Sequence, residues 1–394
     1  MSEIKVNSVK GVGASVAAVT INNSDGTCTA NLTNRSNRNL IINGAMKIAQ
    51  RGTSTTSNNG YYTIDRIHNY CQGTDENPTI SQEDVASGTV AFQAGFRKCL
   101  RITNGNQTSG AGASDQIQIE YRVESQDIAQ SGWNYLSSSS FLNLSFYIRS
   151  SVAQAFNFFV KTEDGTAKNM PFSTPSLSAN TWTRVSVQIK GDSGISFDND
   201  TGKGLVINLS PFLGTDYTDN TITNGEWIAY ASGTRYKDVT STWYTTNDAT
   251  LEFTGLQLEL GNIATDFEHL TIQDDYRKCC RYFEKSYELE TAPGTSTVFQ
   301  GSAFLVAGTS GAGNATSGSR NFREEKRATP TMAGYGINNV ANTGKWYFTK
   351  SGGNGHATMT FNVIAKNQFQ AYVDVGQSNS ASSITGHWTA DAEI

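Results

Sequence analysis

The chain has 394 residues, a formal net charge of −5 and 16% charged residues. That length accommodates more than one hydrophobic core. The lack of a basic tail or stripe argues against a nucleic-acid partner, and no apolar run approaches the roughly 20 residues that span a bilayer, so membrane insertion is not expected. The charged fraction is below the roughly 25% of an average soluble domain. Asn, Ser, Thr and 37 Gly fill the deficit, and these are turn and strand residues rather than helix formers. With 19 Phe, 16 Tyr and 6 Trp along the chain, the composition is too aromatic for disorder. An all-β protein is expected.

Residues 1–38 contain only scattered apolar positions, Val6, Val9, Val12, Val16, Val19 and Ile21, and no aromatic. Such a segment cannot offset the entropy of ordering it by itself. It is either a floppy tail or a stretch that pairs with other chains, and the recurrence of β-branched residues favours pairing. "MSEIKVNSVK" has no apolar core of a secretory signal,. The five cysteines (Cys28, Cys71, Cys99, Cys279, Cys280) are odd in number and lack CxxC or Cys/His spacing, so reduced thiols in a protein made in a cytosol are expected, with no metal.

Residues 39–271 read as a long β region. The candidate strands include "NLIINGAM", "TVAFQAGF", "DQIQIEYRVE", "WTRVSVQIKG", "EWIAYASGTRY" and "ATLEFTGLQLEL". Ile117, Ile119 and Tyr121 share one face by alternation, as do Val185, Val187 and Ile189,. Short strands separated by turn clusters predict a β-sandwich or jelly roll. Residues 272–288 then predict a connecting amphipathic helix. Tyr276, Cys279, Cys280, Phe283 and Tyr287 form one apolar stripe, and Thr271 with Asp274 resembles a capping box,. A helix this short needs a packing partner, either its own sandwich or the same helix of sister chains. Residues 289–394 predict a second, smaller β-sandwich, with "GTSGAGNATSGSR" as a long loop and "GHWTADAEI" inside a final strand.

Several motifs have plain explanations. "GDSG" at 191–194 is turn chemistry, because none of His68, His269, His356 or His387 stands in a partner motif,. Asp198 and Asp200 in "DNDTGKG" lack the glycine and glutamate positions of a calcium loop,. Glu259, Asp266 and Glu268 read as sheet-edge charge, with a structural calcium as the alternative. Asp115, Glu120, Glu124 and Glu252 stand in β context with no spacing that identifies a glycosidase pair,.

Three stretches carry a family resemblance: "NRNLIINGAMKIAQRGTS" with "YYTIDRI", "TGLQLELGNIATDFEH" running into "YRKCCRYFEKSY", and "FREEKRATPTM" with "GHWTADAEI". In this order they resemble virion tail-fibre proteins of tailed bacteriophages, especially those of marine and cyanobacterial phages. The central region is similar to carbohydrate-binding-module jelly rolls, with "NLIINGAM" as first strand and "TLEFTGLQLEL" as last. The resemblance implies a homotrimer in the virion tail, mounted on other virion proteins through residues 1–38, with a distal C-terminal head and no cofactor. The long repetitive shaft of many fibres is missing. On this reading the stripe of Tyr276, Cys279, Cys280 and Phe283 faces a three-fold axis, and the protein binds a host-surface glycan or another receptor without acting as an enzyme.

Aromatic rings suit the apolar faces of sugars. The loop-borne pairs Trp133–Tyr135 and Trp243–Tyr244 are therefore candidate glycan-binding residues, as are Trp346, Tyr347, Lys350 and His356 in the head. Core packing is the competing account of each Trp. A tailspike-like glycan depolymerase and a non-binding decoration of tail or capsid are the rival functions.

Overall fold

The computed structural model describes residues 6–12, 17–21, 28–30, 37–295, 302–306, 308–310, 314–316, 319–337, 344–350, 353–374 and 381–394. Among them the strands form four antiparallel sheets. The first is a small sheet of β1 (Ser8–Val9), β2 (Val19–Ile21) and β3 (Cys28–Ala30). Its strands are only two or three residues long, and Val6 and Val9 stay exposed. A sheet this small is marginal by itself. Within the expected attachment segment, residues 1–5, 13–16, 22–27 and 31–36 lie outside the described residues.

Two sheets then face each other as a jelly-roll sandwich. The strands in chain order are β4 (Ser54–Thr55), β5 (Ile67–Gln72), β6 (Thr79–Asp84), β7 (Lys98–Thr103), β8 (Gln116–Glu124), β9 (Phe141–Ser150), β10 (Asn157–Thr162), β11 (Lys168–Ser173), β12 (Thr183–Lys190), β13 (Lys203–Asn208), β14 (Phe212–Leu213), β15 (Ile228–Ala229) and β16 (Thr250–Leu260). One sheet runs β14-β8-β13-β10-β11-β15 with β5 also on β8; the other runs β12-β9-β16-β7-β6-β4. The chain crosses repeatedly between them. Inward positions build one core from both sheets, including Ile117, Ile119, Tyr121, Leu144, Phe146, Val185, Ile189, Phe158 and Leu258. The alternation in β8 and β12 is therefore the one that the sequence predicts.

Three expected strands take other forms. "TVAFQAGF" folds as the short helix α1 (Val90–Gln93), because the Thr89 hydroxyl caps the Phe92 N–H,. "NLIINGAM" is a turn-rich segment in which Asn43 and Met46 adopt positive φ. It is nevertheless stitched to β16 through Leu40 N–H to Leu258 O and Leu256 N–H to Gly44 O. "EWIAYASGTRY" is a strand only at Ile228–Ala229; its remainder belongs to a loop lying over the β8–β11 sheet.

A short helix, α2 (Ser125–Ala129), follows β8. The connecting helix is α3 (Ile272–Cys280), and the chain turns into strand β17 (Phe283–Lys285) instead of continuing to 288. Thr271 caps the Asp274 N–H, as expected. The early end follows from pairing: Phe283, Glu284 and Lys285 pair with Asp391, Ala390 and Thr389 of the last strand.

The head consists of β17 with β18 (Ala303–Val306), β19 (Gly308–Ser310), β20 (Asn314–Thr316), β21 (Arg320–Asn321), β22 (Thr331–Tyr335), β23 (Lys345–Lys350), β24 (Gly355–Asn362), β25 (Gln368–Asp374) and β26 (Ala381–Asp391). The run "GTSGAGNATSGSR" supplies β19 and β20, a hairpin where a loop was expected. Strand β26 is central and pairs with β17, β18, β22 and β23. Trp346, Phe369, Val373, Ile384 and Trp388 form the head's core. The head's last residues are clamped to the sandwich. Arg66 pairs with Glu393 and lies 3.4 Å over the Tyr282 ring. Arg51 reaches Asp391 and Glu393 at 3.1 and 3.3 Å, and Arg281 binds Glu124 through two hydrogen bonds.

Candidate functional site

The outward face of the β8–β11 sheet is polar and largely buried. Register places His68, Tyr70 and Gln72 of β5 opposite Glu120, Gln118 and Gln116 of β8, and Asn208 of β13 opposite Glu120. These side chains join laterally. Gln118 Nε2 donates to Gln116 Oε1 (2.6 Å), Asn208 Nδ2 to Gln118 Oε1 (2.9 Å), Gln116 Nε2 to Gln72 Oε1 (3.1 Å) and Tyr70 Oη to Gln72 Oε1 (2.6 Å). Asn208 is fully buried, and Gln116 and Gln118 are nearly so.

Two walls frame this row. On one side the 214–240 loop brings Arg235, whose Nη1 donates to Gln116 Oε1 at 3.2 Å and whose guanidinium lies over the Tyr217 ring. Lys161 of β10 sits 4.0 Å from the centre of the Tyr230 ring. On the other side Arg122 divides its guanidinium between Glu120 Oε2 (2.7 Å) and the backbone oxygen of Ile394 (2.5 Å). Tyr61 also donates to that oxygen and meets His68 edge-on. Among the described residues, three buried polar atoms on this face have no hydrogen-bond partner: His68 Nδ1, Asn169 Oδ1 and Arg235 Nε. Burial with the positive field of Arg122 pushes the His68 imidazole down to about 4,. Burial pushes Glu120 the other way, but Arg122 outweighs it and holds that carboxyl below its ordinary range.

The residues singled out in the sequence lie elsewhere. Trp243 and Tyr244 have no exposed surface. Tyr244 stacks on Phe212 at 4.1 Å and donates to Asp115, so the pair belongs to the sandwich core and offers no face to a sugar. Trp133 is also buried, donating to Ser140 O, while Tyr135 packs half-buried against Phe197. In the head Trp346 is fully buried and donates to His387 O. Tyr347 and His356 are half-buried ring neighbours, and the Lys350 side chain lies outside the described residues. The loop and head aromatics therefore do not converge on one site. Turn-rich sequence concealed their burial, because a large ring can close a core from a loop as well as from a strand.

The helix stripe is likewise spent inside the chain, which corrects the expected three-fold contact. Tyr276, Cys279 and Cys280 pack on Ile48, Ile42 and Leu289, and Phe283, on β17, receives the Arg51 guanidinium at 3.8 Å. Burial pushes the Cys280 thiol up to about 12.

The carboxylates weighed for catalysis are all committed. Arg101 and Arg149 hold Glu252 at 2.6 Å each, Tyr244 binds Asp115, and Arg281 and Tyr282 bind Glu124. Glu259 and Glu268 accept hydrogen bonds from Thr265 and Asn39. Among the described residues no cluster of three His, Cys, Asp or Glu could hold a metal, and no helix is long and apolar enough to cross a membrane.

No family model and no curated protein matches the sequence. Solved structures with partial likeness include the enzymatically active domain of tailspike protein 4 from bacteriophage CBA120, at 8% identity and TM-score 0.30 over 57% of this chain and 21% of that one. A putative sugar-binding protein of Bacteroides thetaiotaomicron is matched at 11% identity and TM-score 0.29, over 57% of this chain and all (100%) of that one. The tandem CBM22 domain of Paenibacillus barcinonensis Xyn10C is matched at 8% identity and TM-score 0.26, over 92% of each chain. What the sequence reading missed is the amide row, whose signal was already there: "DQIQIEYRVE" places Gln, Gln, Glu and Arg on one face, and Asn208 interrupts an apolar strand.

Proposed function

We propose that this chain is a tail-fibre protein of a tailed bacteriophage, located in the virion tail, that attaches to the host surface by binding a glycan on the outward face of the β8–β11 sheet. One observation carries the ligand class. The exposed Gln72 and the half-buried Tyr70, Tyr217 and Tyr230 stand open on this sheet face, and the buried amides of Gln116, Gln118 and Asn208 back them as a row of planar donors and acceptors. Sugar hydroxyls pair with amides, and pyranose faces pack on rings. Apolar cross-strand pairs would stabilise such a face with less desolvation cost, so the amides favour recognition of a polar ligand. The virion assignment rests on the three sequence stretches that resemble tail fibres. The small β1–β3 sheet, with its open valines, suits pairing with sister chains in a homotrimer.

The test uses the full chain. It is expected to pull down host envelope polysaccharide and to block phage adsorption in competition, without releasing new reducing ends. Retained binding by a Tyr70→Ala/Gln118→Ala variant would overturn the site. New reducing ends would favour the depolymerase, and unchanged adsorption at saturating protein would favour a structural decoration. Light scattering is expected to give the mass of three chains.

A further inference from the structure

A separate cavity of about 410 Å³ lies on the opposite side of the sandwich, outside the β9–β16 sheet. Its base is formed by Ser145 and Tyr147 of β9 and Gly255 of β16, and its walls by residues 93–96 with Asp266, Phe267 and His269. Four rings meet there. Phe96 lies 5.4 Å from Tyr147, 4.9 Å from Phe267 and 5.2 Å from His269, centre to centre. Backbone shape holds them. Gly255 has φ +67°, and a Cβ there would come 2.5 Å from the Phe96 ring; Gly95 has φ +97°, and its Cβ would meet His269 at 2.8 Å. Both positions need glycine for conformation and for space. A hydrogen bond of 2.8 Å between His269 Nε2 and Ala94 O fixes the fourth ring.

Arg184 stands at the rim, exposed. It donates to Thr265 O and has no ion pair with any described carboxylate, Asp266 of the same cavity included, in contrast to Arg101, Arg122, Arg149 and Arg281. We infer that this cavity is a second binding site, for a single pyranose unit carrying a carboxylate. The apolar ring face packs on Tyr147 and Phe267, and the carboxylate meets the Arg184 guanidinium in a charge-assisted pair. The inference rests on the reading of the chain as a glycan binder, but it uses residues on the other sheet.

The experiment titrates sodium glucuronate, and separately methyl glucoside, into the full chain while the amide resonances of Gly95 and Gly255 are followed by NMR. Glucuronate is expected to shift both, and Arg184→Gln to weaken it about tenfold, the cost of one hydrogen-bonded charge pair. Arg184→Lys should recover part of the loss. Gln118→Ala should leave these shifts unchanged while weakening polysaccharide capture about tenfold or more. If polysaccharide capture depends on Gln118 but glucuronate moves neither glycine, or binds Arg184→Gln as well as the parent, the second site is wrong and the first stands. If Gln118→Ala captures polysaccharide normally while glucuronate shifts both glycines, the first fails and the second stands.

Discussion

Strand β8 has two buried faces, and they are built on opposite principles. Ile117, Ile119, Tyr121 and Val123 point into the sandwich core, while Gln116, Gln118, Glu120 and Arg122 point outward under a loop and the head's last residue. Burial of the first set contributes hydrophobic stabilisation, roughly 25 cal/mol per Å². The second set only exchanges water for other polar partners, at a net gain near zero. Mutations should therefore separate the two faces. The largest effect belongs inside. Trp243→Ala empties a fully buried site and is expected to cost about 3–5 kcal/mol in urea unfolding,. A variant that kept parental stability but lost glycan binding would return Trp243 to the ligand-contact role that its loop suggested.

The joint between sandwich and head tests the polar side of the comparison. Glu393→Ala leaves Arg66 buried without a carboxylate, and removing one partner of a buried pair costs about 3 kcal/mol,. Arg66→Met combined with Glu393→Leu should recover most of that loss, because the charges themselves contribute little net stability. If the double variant is as unstable as the single one, the ion pair is a true stabiliser. A smaller effect lies at His68, held neutral down to about 4 in the folded chain against an ordinary value of 6.5. Below pH 6.5 the unfolded chain takes up a proton that the folded chain refuses, so the His68 contribution to stability falls as pH drops from 6.5 towards 4 and is constant above 7, while buried Asp65, raised to about 6, contributes in the opposite direction below pH 6,. The His68 slope is at most about 1.4 kcal/mol per pH unit. His68→Gln should remove it, and an NMR titration of the His68 ring with a midpoint near 6.5 would contradict its burial.

How far the sequence foretells this molecule follows from how local each signal is. The faces of β8 and β12 were legible because alternation is a property of consecutive residues, and the Thr271 cap because a cap and its helix are neighbours. The end of α3 at Cys280 was not, since it is set by pairing with β26, more than a hundred positions away in sequence,. The same limit hid the fate of the aromatics. "TSTWYTTND" reads as an exposed turn, yet Trp243 and Tyr244 are drawn inward because Phe156, Phe212 and Asp115 wait there. Conversely, Gln116 and Gln118 alternate with the apolar residues of β8, which marks a polar face but not what covers it,. Only the overlying loop and Arg235 turn them into an enclosed row.

The smallest stability change is the most informative for function. Gln118→Ala removes one acceptor of Asn208 Nδ2, which still has Glu120 Oε1 at 3.4 Å, and it cuts the link to Gln116. No large ring leaves and no charge is stranded, so unfolding free energy should change by about 1 kcal/mol or less. If the amide row were only a self-satisfied covering of the sheet, polysaccharide binding would change as little as stability does. If it is the recognition surface, binding should fall by about tenfold or more, as when a buried polar group on a ligand loses its partner. Measuring both quantities on the same preparation separates these outcomes, because a folding defect cannot lower affinity without also lowering the unfolding midpoint.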